Sequence, residues 1–189
     1  YESIAYKMPG KFGSVLRVSA QKDPSSAKRN LNLYVVSENA KSQLELTNQT
    51  IKNNLKTWLN QYRMMNDAID ILDPYIINIG ISFNIKITTG VEKHAAMAFA
   101  VSALRKKFNT KFFIGEPLYI SEIYKILKEI PAVLDVVDVK VFNKNNGNYS
   151  GNILNIAKNM SPDGGYIITP KNAILEIKFP EVDIKGRIS

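Results

Sequence analysis

Two hydrophobic periods alternate along this chain, and the sharpest switch between them falls between Leu44 and Ile87. Leu44-Glu45-Leu46-Thr47 leads into a run in which Ile51, Leu55, Trp58, Leu59 and Tyr62 recur at helical spacing. Such positions form one face of an amphipathic α-helix. Beyond Met64-Met65-Asn66-Asp67 the period drops to two. Ile77, Ile79, Ile81, Phe83, Ile85 and Ile87 alternate with Asn78, Gly80, Ser82, Asn84 and Lys86, which predicts a strand with one buried and one polar face. From Tyr75 to Ile87 that strand reaches roughly 40 Å at about 3.3 Å per residue, longer than most strands in compact domains. A helix feeding an overlong two-faced strand points to a scaffold element rather than to a pocket.

The flanking segments extend the pattern. Residues 1–13, with Pro9, Gly10 and Gly13, read as an entering arm or loop. Strands are expected at Val15–Ala20 and Leu31–Val36, joined by a polar hairpin connection containing Asp23-Pro24-Ser25-Ser26. Thr47 is placed to cap the amphipathic helix, and Ile69–Leu72 forms a short strand halted at Asp73-Pro74. The order β-β-α-β describes a small unit with its helix laid on a sheet.

Past the long strand, Thr89 and Glu92 have capping-box spacing before a helix whose face is Met97, Val101, Leu104 and Phe108. Phe112–Pro117 breaks it. Ser121 is expected to cap another helix, with Ile123, Tyr124, Leu127 and Ile130 on one face and Pro131 at its end. Val137, Val139 and Val141 alternate with Asp138 and Lys140 as a strand, and Asn143–Tyr149 is a polar loop. Residues 152–160 fit either a short strand or a short helix. Tyr166–Ile168 and Ala173–Phe179 read as a terminal strand pair around a turn. The fold class is therefore α+β: two small α/β units, each a mainly antiparallel sheet with helices on one face, joined by the long strand. The expected divisions are an arm at 1–13, a first unit at 14–73 and a second at 74–189.

Composition narrows the chemistry. With 189 residues, 45% hydrophobic, the chain has ample material for a core. No apolar run approaches the ~18–20 residues of a membrane-spanning helix. The chain opens on Tyr1 rather than Met and no signal peptide is recognisable, so a trimmed or processed piece of a longer chain is expected. Cysteine is absent, which removes disulfides and thiolate metal sites, and one histidine, His94, argues against a histidine-based metal site or triad. The net charge of +8 comes from 25 Lys and Arg against 17 Asp and Glu, but the basic residues are scattered. The densest run, Arg105-Lys106-Lys107, closes a helix, where cations complement the carbonyl dipole.

Asp67, Asp70 and Asp73 are the tightest carboxylate cluster. They fall after a helix, in a strand and in a turn, so they are expected to diverge as cap and turn residues. Asp163-Gly164-Gly165 lacks the Lys-Ser/Thr of a phosphate loop, and Pro9–Gly13 has the wrong spacing for one. His94 is expected on the surface, and Trp58 in the core beside Leu55 and Leu59. No nucleophile with its base, metal set or cofactor fingerprint emerges, so no catalytic, cofactor or metal residue is assigned and no enzymatic activity or cofactor is expected.

Three stretches carry a family resemblance. Leu55–Ile69 is followed by Pro74-Tyr75-Ile76-Ile77-Asn78-Ile79-Gly80. Phe113–Ile123 runs into Val133–Val139. The last is Phe179-Pro180-Glu181-Val182-Asp183-Ile184-Lys185-Gly186-Arg187-Ile188. Over most of Val15 to Ile188 the chain resembles the C-terminal part of the baseplate wedge (hinge) proteins of contractile-tailed phages, similar to the baseplate J-like family. Where that family often has a Val-Gly-Val turn, this chain has Pro131-Ala132-Val133-Leu134, so its turn is expected not to need glycine.

The resemblance implies a structural virion protein of the tail baseplate, assembled in the host bacterial cytoplasm, that builds the ring and rearranges when the tail contracts. The implied partners are copies of itself, as a homodimer or ring, and other wedge and hub proteins. No small-molecule substrate, membrane or nucleic acid is expected among them. Two rivals stay open: a basic nucleic-acid-binding module, which needs a stripe of charge, and an enzyme whose pocket gathers Asp67, Asp70 or His94.

Overall fold

In the computed structural model, residues 1–23, 30–64 and 67–189 are described, together with the backbone of Arg29. Pro24, Ser25 and Ser26 of the expected hairpin connection, and Met65 and Asn66, lie outside the described residues. The chain is α+β and divides into two compact units, Tyr1–Ile76 and Ile77–Ser189.

The first unit begins with α1 (Glu2–Tyr6) and a 3-10 turn at Gly10–Phe12. This replaces the arm expected over residues 1–13. Ala5 and Met8 are buried in the unit's core, the amide of Val18 donates to the Tyr6 hydroxyl at 2.9 Å, and the Trp58 indole donates to the Ile4 carbonyl at 2.9 Å. A segment that supplies apolar side chains and satisfies a tryptophan is part of the fold, whatever its Pro and Gly content.

Strands β1 (Arg17–Lys22) and β2 (Arg29–Glu38) pair antiparallel, with Val18 opposite Val35 and Ala20 opposite Leu33. The other edge of β2 is shared by β3 (Leu44–Leu46), antiparallel, and β4 (Asp67–Leu72), parallel. Between them α2 (Gln49–Asn60) makes the crossover that a parallel neighbour requires, burying Leu55 and Leu59 against Leu33, Val35 and Ile69. Its cap is Asn48, whose Oδ1 accepts from the Thr50 amide at 2.8 Å, and not Thr47. Thr47 is buried, its hydroxyl 3.0 Å from that of Ser37, and so faces the sheet instead of the helix end.

Strand β5 (Tyr75–Ile87), whose residues from Ile77 belong to the second unit, has the bounds its alternation predicts. It pairs antiparallel with β7 (Val133–Asn143) and parallel with β10 (Ile184–Ile188). Strand β9 (Ala173–Glu176) pairs with it as well. Two helices supply most of the core on one face. From α3 (Lys93–Phe108) come Ala100, Leu104 and Phe108; from α4 (Ile120–Lys128) come Ile123 and Leu127, packed on Ile79, Ile81, Phe83 and Ile85. The last strand thus lies beside the long one, with Gly186 opposite Phe83.

Several local expectations give way to tertiary context. The Thr89–Glu92 box does not form. Gly90 takes φ 91°, the Val91 amide donates to Thr88, and α3 starts after Glu92 without a side-chain cap. Helix α4 starts before Ser121, whose amide donates to the Gly165 carbonyl at 3.0 Å. Val137 is not on the buried face of β7. The pairing steps from Asn84–Asp138 to Ile85–Val136, so Val137 is the extra residue of a β-bulge and is exposed, while Val136 and Val139 are buried. Tyr166–Ile167 (β8, following the short helix α5, Ile156–Asn159) does not pair with β9. It pairs antiparallel with β6 (Leu118–Tyr119). The Pro131-Ala132 turn is free of positive φ, as its lack of glycine requires.

Candidate functional site

The three aspartates are held by different groups. Asp67 accepts from the Tyr1 hydroxyl at 2.6 Å, Asp70 lies 3.9 Å from the Lys56 ammonium, and Asp73 pairs with Lys52 at 2.5 Å. Each carboxylate answers a local donor, so they share no centre. His94 is exposed in the first turn of α3. Among the described residues no group of three His, Asp or Glu side chains is placed to hold a metal ion, and no helix is long and apolar enough to cross a membrane. A cleft beside Phe108, Phe112 and Tyr119 has the Lys107–Glu122 ion pair (2.5 Å) at its rim, and Glu116 accepts there from the Phe113 amide. Both carboxylates in it are engaged locally.

The polar groups that do converge were not singled out by periodicity. The polar face of β5 is open only from Ser82 onward; Asn78 and Gly80 are buried. The alternation places Asn78 toward solvent, but the loop after β7 folds back over this end of the strand. Asn78 donates to Glu176 at 2.7 Å, and its amide oxygen accepts from the Ser150 amide at 2.6 Å. Both Asn78 and Glu176 are buried, so these bonds satisfy groups that water cannot reach. At Gly80 a Cβ would meet the Phe142 ring at 2.7 Å, so the missing side chain lets that ring lie flat on the strand.

The same loop is tied to the chain's closing turn. Helix α6 (Pro180–Asp183) has Pro at its start, where the absent amide is no loss. It ends at Asp183, which is fully buried. That carboxylate accepts from the Tyr149 hydroxyl at 2.6 Å, from the Phe179 amide at 2.9 Å, and lies 3.4 Å from the Lys144 ammonium. Burial first, then the hydrogen bond to Asp183, pushes the Tyr149 phenol up to about 12. The Tyr149 ring meets Phe179 edge-on at 5.5 Å, and Lys178 donates to the Asn148 carbonyl. Such an arrangement holds backbone segments together. The Asp183 carboxylate at its centre is engaged by all three donors. Within the closing motif from Phe179 to Ile188, the Asp183 carboxylate holds the Phe179 amide, strand positions run from Ile184, and at Gly186 any Cβ would collide with Met97 and Phe83.

No protein-family model matches this chain, and no curated protein matches it. Solved structures do. One is a chain in the cryo-EM structure of the anti-feeding prophage baseplate, six-fold symmetrised, with a TM-score of 0.53 and 12% sequence identity. The match covers 93% of this chain and 35% of that one, so this chain spans about a third of the length of its structural neighbour. At that identity the likeness is one of fold.

Proposed function

We propose that this chain is a structural component of a phage-type tail baseplate, and within it part of a wedge subunit that joins copies of itself and other wedge and hub proteins into a ring. The observation that carries the proposal is the shared fold, across nearly the whole chain, with a baseplate chain of the anti-feeding prophage. The closing motif supports it, because its residues serve to lock the C-terminal strand against the centre of the second sheet. In this reading the protein has no catalytic role: its polar network builds a rigid body, and its surfaces are covered by neighbours. Tail contraction then moves such bodies against one another without melting them.

Cryo-EM of the intact particle tests the assignment, with density for this chain expected in the ring at the tail end and displaced between extended and contracted tails. Sedimentation of the chain itself is expected to show dimers or larger species as concentration rises, since permanent assemblies bury about 2,000–5,000 Å² per interface. Only monomer at high concentration counts against the wedge reading.

A further inference from the structure

The second sheet is covered by helices on one face, and on the other its polar half is open. Register sets what that open face displays. Ser82 of β5 lies between Lys185 of β10 and Lys140 of β7, and Asn84 lies between Arg187 and Asp138. Lys86, next along β5, is opposite Asp135. Lys86, Lys140, Lys185 and Arg187 are all exposed. Neighbouring strands are about 4.8 Å apart and same-face residues along a strand about 7 Å apart. Four cations, with Asp135 and Asp138 among them, therefore share one face whose central residues, Ser82 and Asn84, are short.

The acids of this patch are already engaged. Asp138 pairs with Lys140 at 3.0 Å, and Asp135 with Lys128 on α4 at 3.6 Å. Among the described residues, Lys86, Lys185 and Arg187 have no carboxylate within 4.0 Å. By contrast Arg105, on the helical side, is bound by Glu181 at 2.8 Å and by the Pro180 and Glu181 carbonyls. Lys140 is thus compensated within the patch, as Arg105 is on the helical side, while Lys86, Lys185 and Arg187 are not.

We propose that this face docks an acidic protein surface, with carboxylates of the partner meeting Lys185, Arg187 and Lys86. Charge complementarity of this kind chiefly sets orientation and association rate. A nucleic acid fits less well. Sheets that bind single strands do so by stacking bases on aromatic side chains, whereas Phe83 points to the core, and Phe142, at the covered end, lies against Gly80 with the Lys144 ammonium 5.3 Å from its ring centre. The proposed surface does not depend on which particle the chain serves.

Fluorescence anisotropy at low salt, with labelled poly-L-glutamate and labelled duplex DNA as probes, tests the proposal. The expected result is poly-L-glutamate binding that weakens at least tenfold in K185E/R187E and weakens with added salt. The charge-matched pair K93E/K106E, on exposed positions of α3, is expected to change it less than threefold. Thermal melts of both variants, expected to superimpose on the parent, establish that the fold is kept. Equal loss in the two variants, absence of binding, or tighter binding of duplex DNA through the same residues would each overturn the proposal, the last in favour of a nucleic-acid surface.

Discussion

Tyr149 and Asp183, thirty-four residues apart, meet at 2.6 Å, the phenol donating to a carboxylate that no solvent reaches. This bond joins the loop after β7 to the turn before β10, and so links two of the strands paired with β5. A buried carboxylate is tolerated only when its lone pairs are filled. Tyr149, the Phe179 amide and Lys144 fill them here.

Removing the donor is expected to be felt in stability. Tyr149→Phe should cost about 1–2 kcal/mol, the cost of leaving a buried acceptor one partner short. Asp183→Ala should cost about 3 kcal/mol, near the low end for breaking a buried pair, because Lys144 keeps some contact with water. Urea unfolding followed by circular dichroism measures both; a change below about 0.5 kcal/mol for Asp183→Ala would show the network to be idle.

The same bond has an alkaline signature. The Tyr149 phenol, raised to about 12 in the folded chain from an ordinary value of 10.0, binds its proton more tightly folded than unfolded. Its contribution is therefore whole below about pH 10 and lost as pH rises through about 12. Tyrosinate absorbance should show a late-titrating phenol that vanishes in Tyr149→Phe and titrates earlier in Asp183→Asn, where the neighbouring charge is gone.

Gly186 stands where a side chain has no room. A Cβ there would lie 2.5 Å from the Phe83 ring and collide with the Met97 sulfur. Gly186→Ala should destabilise by about 1–3 kcal/mol, the usual cost of overpacking a core. Met97→Ala in the same chain should recover part of that loss by freeing space on α3, while the Phe83 contact remains. An additive double mutant in urea melts would contradict this.

Residues 1–13 are expected to be needed by the first unit. Deleting them removes the buried Met8, worth about 1.5–3 kcal/mol, and the Ile4 carbonyl that accepts from Trp58, worth about 1 kcal/mol. Trp58 is the sole tryptophan, so its emission reports directly. It should shift to the red on deletion, with a lower unfolding midpoint. An unchanged spectrum would restore the entering-arm reading.

Much of the architecture was legible because it rests on local periodicity. The bounds of β5 follow from alternation alone, and the buried face of α2 follows from the spacing of Leu55 and Leu59. That Asp67, Asp70 and Asp73 do not converge was also legible, but the reason differs from the one expected: Asp67 and Asp70 both lie on β4, three positions apart and so on opposite faces, and Asp73 follows the strand. Less legible were the helix starts. Thr47, Thr89 and Ser121 have the right chemistry for caps, but Asn48 competes for the first, a glycine turn displaces the second, and the amide of the third is engaged by Gly165.

Periodicity along the chain settles which segments extend, which coil, and which of their faces are apolar, since those follow from the repeat of each backbone conformation. The tertiary structure decided who sits beside whom. Only the folded chain puts β10 parallel to β5, pairs Tyr166 with Tyr119 instead of with the next strand, and turns Val137 outward through a bulge. It likewise buries Asn78 beneath a loop that begins more than sixty residues later and gathers Lys86, Lys140, Lys185 and Arg187 on one open face. Pairing and burial are relations between distant segments, fixed by shape and hydrogen-bond satisfaction across the core, and a hydrophobic period has no means of recording them.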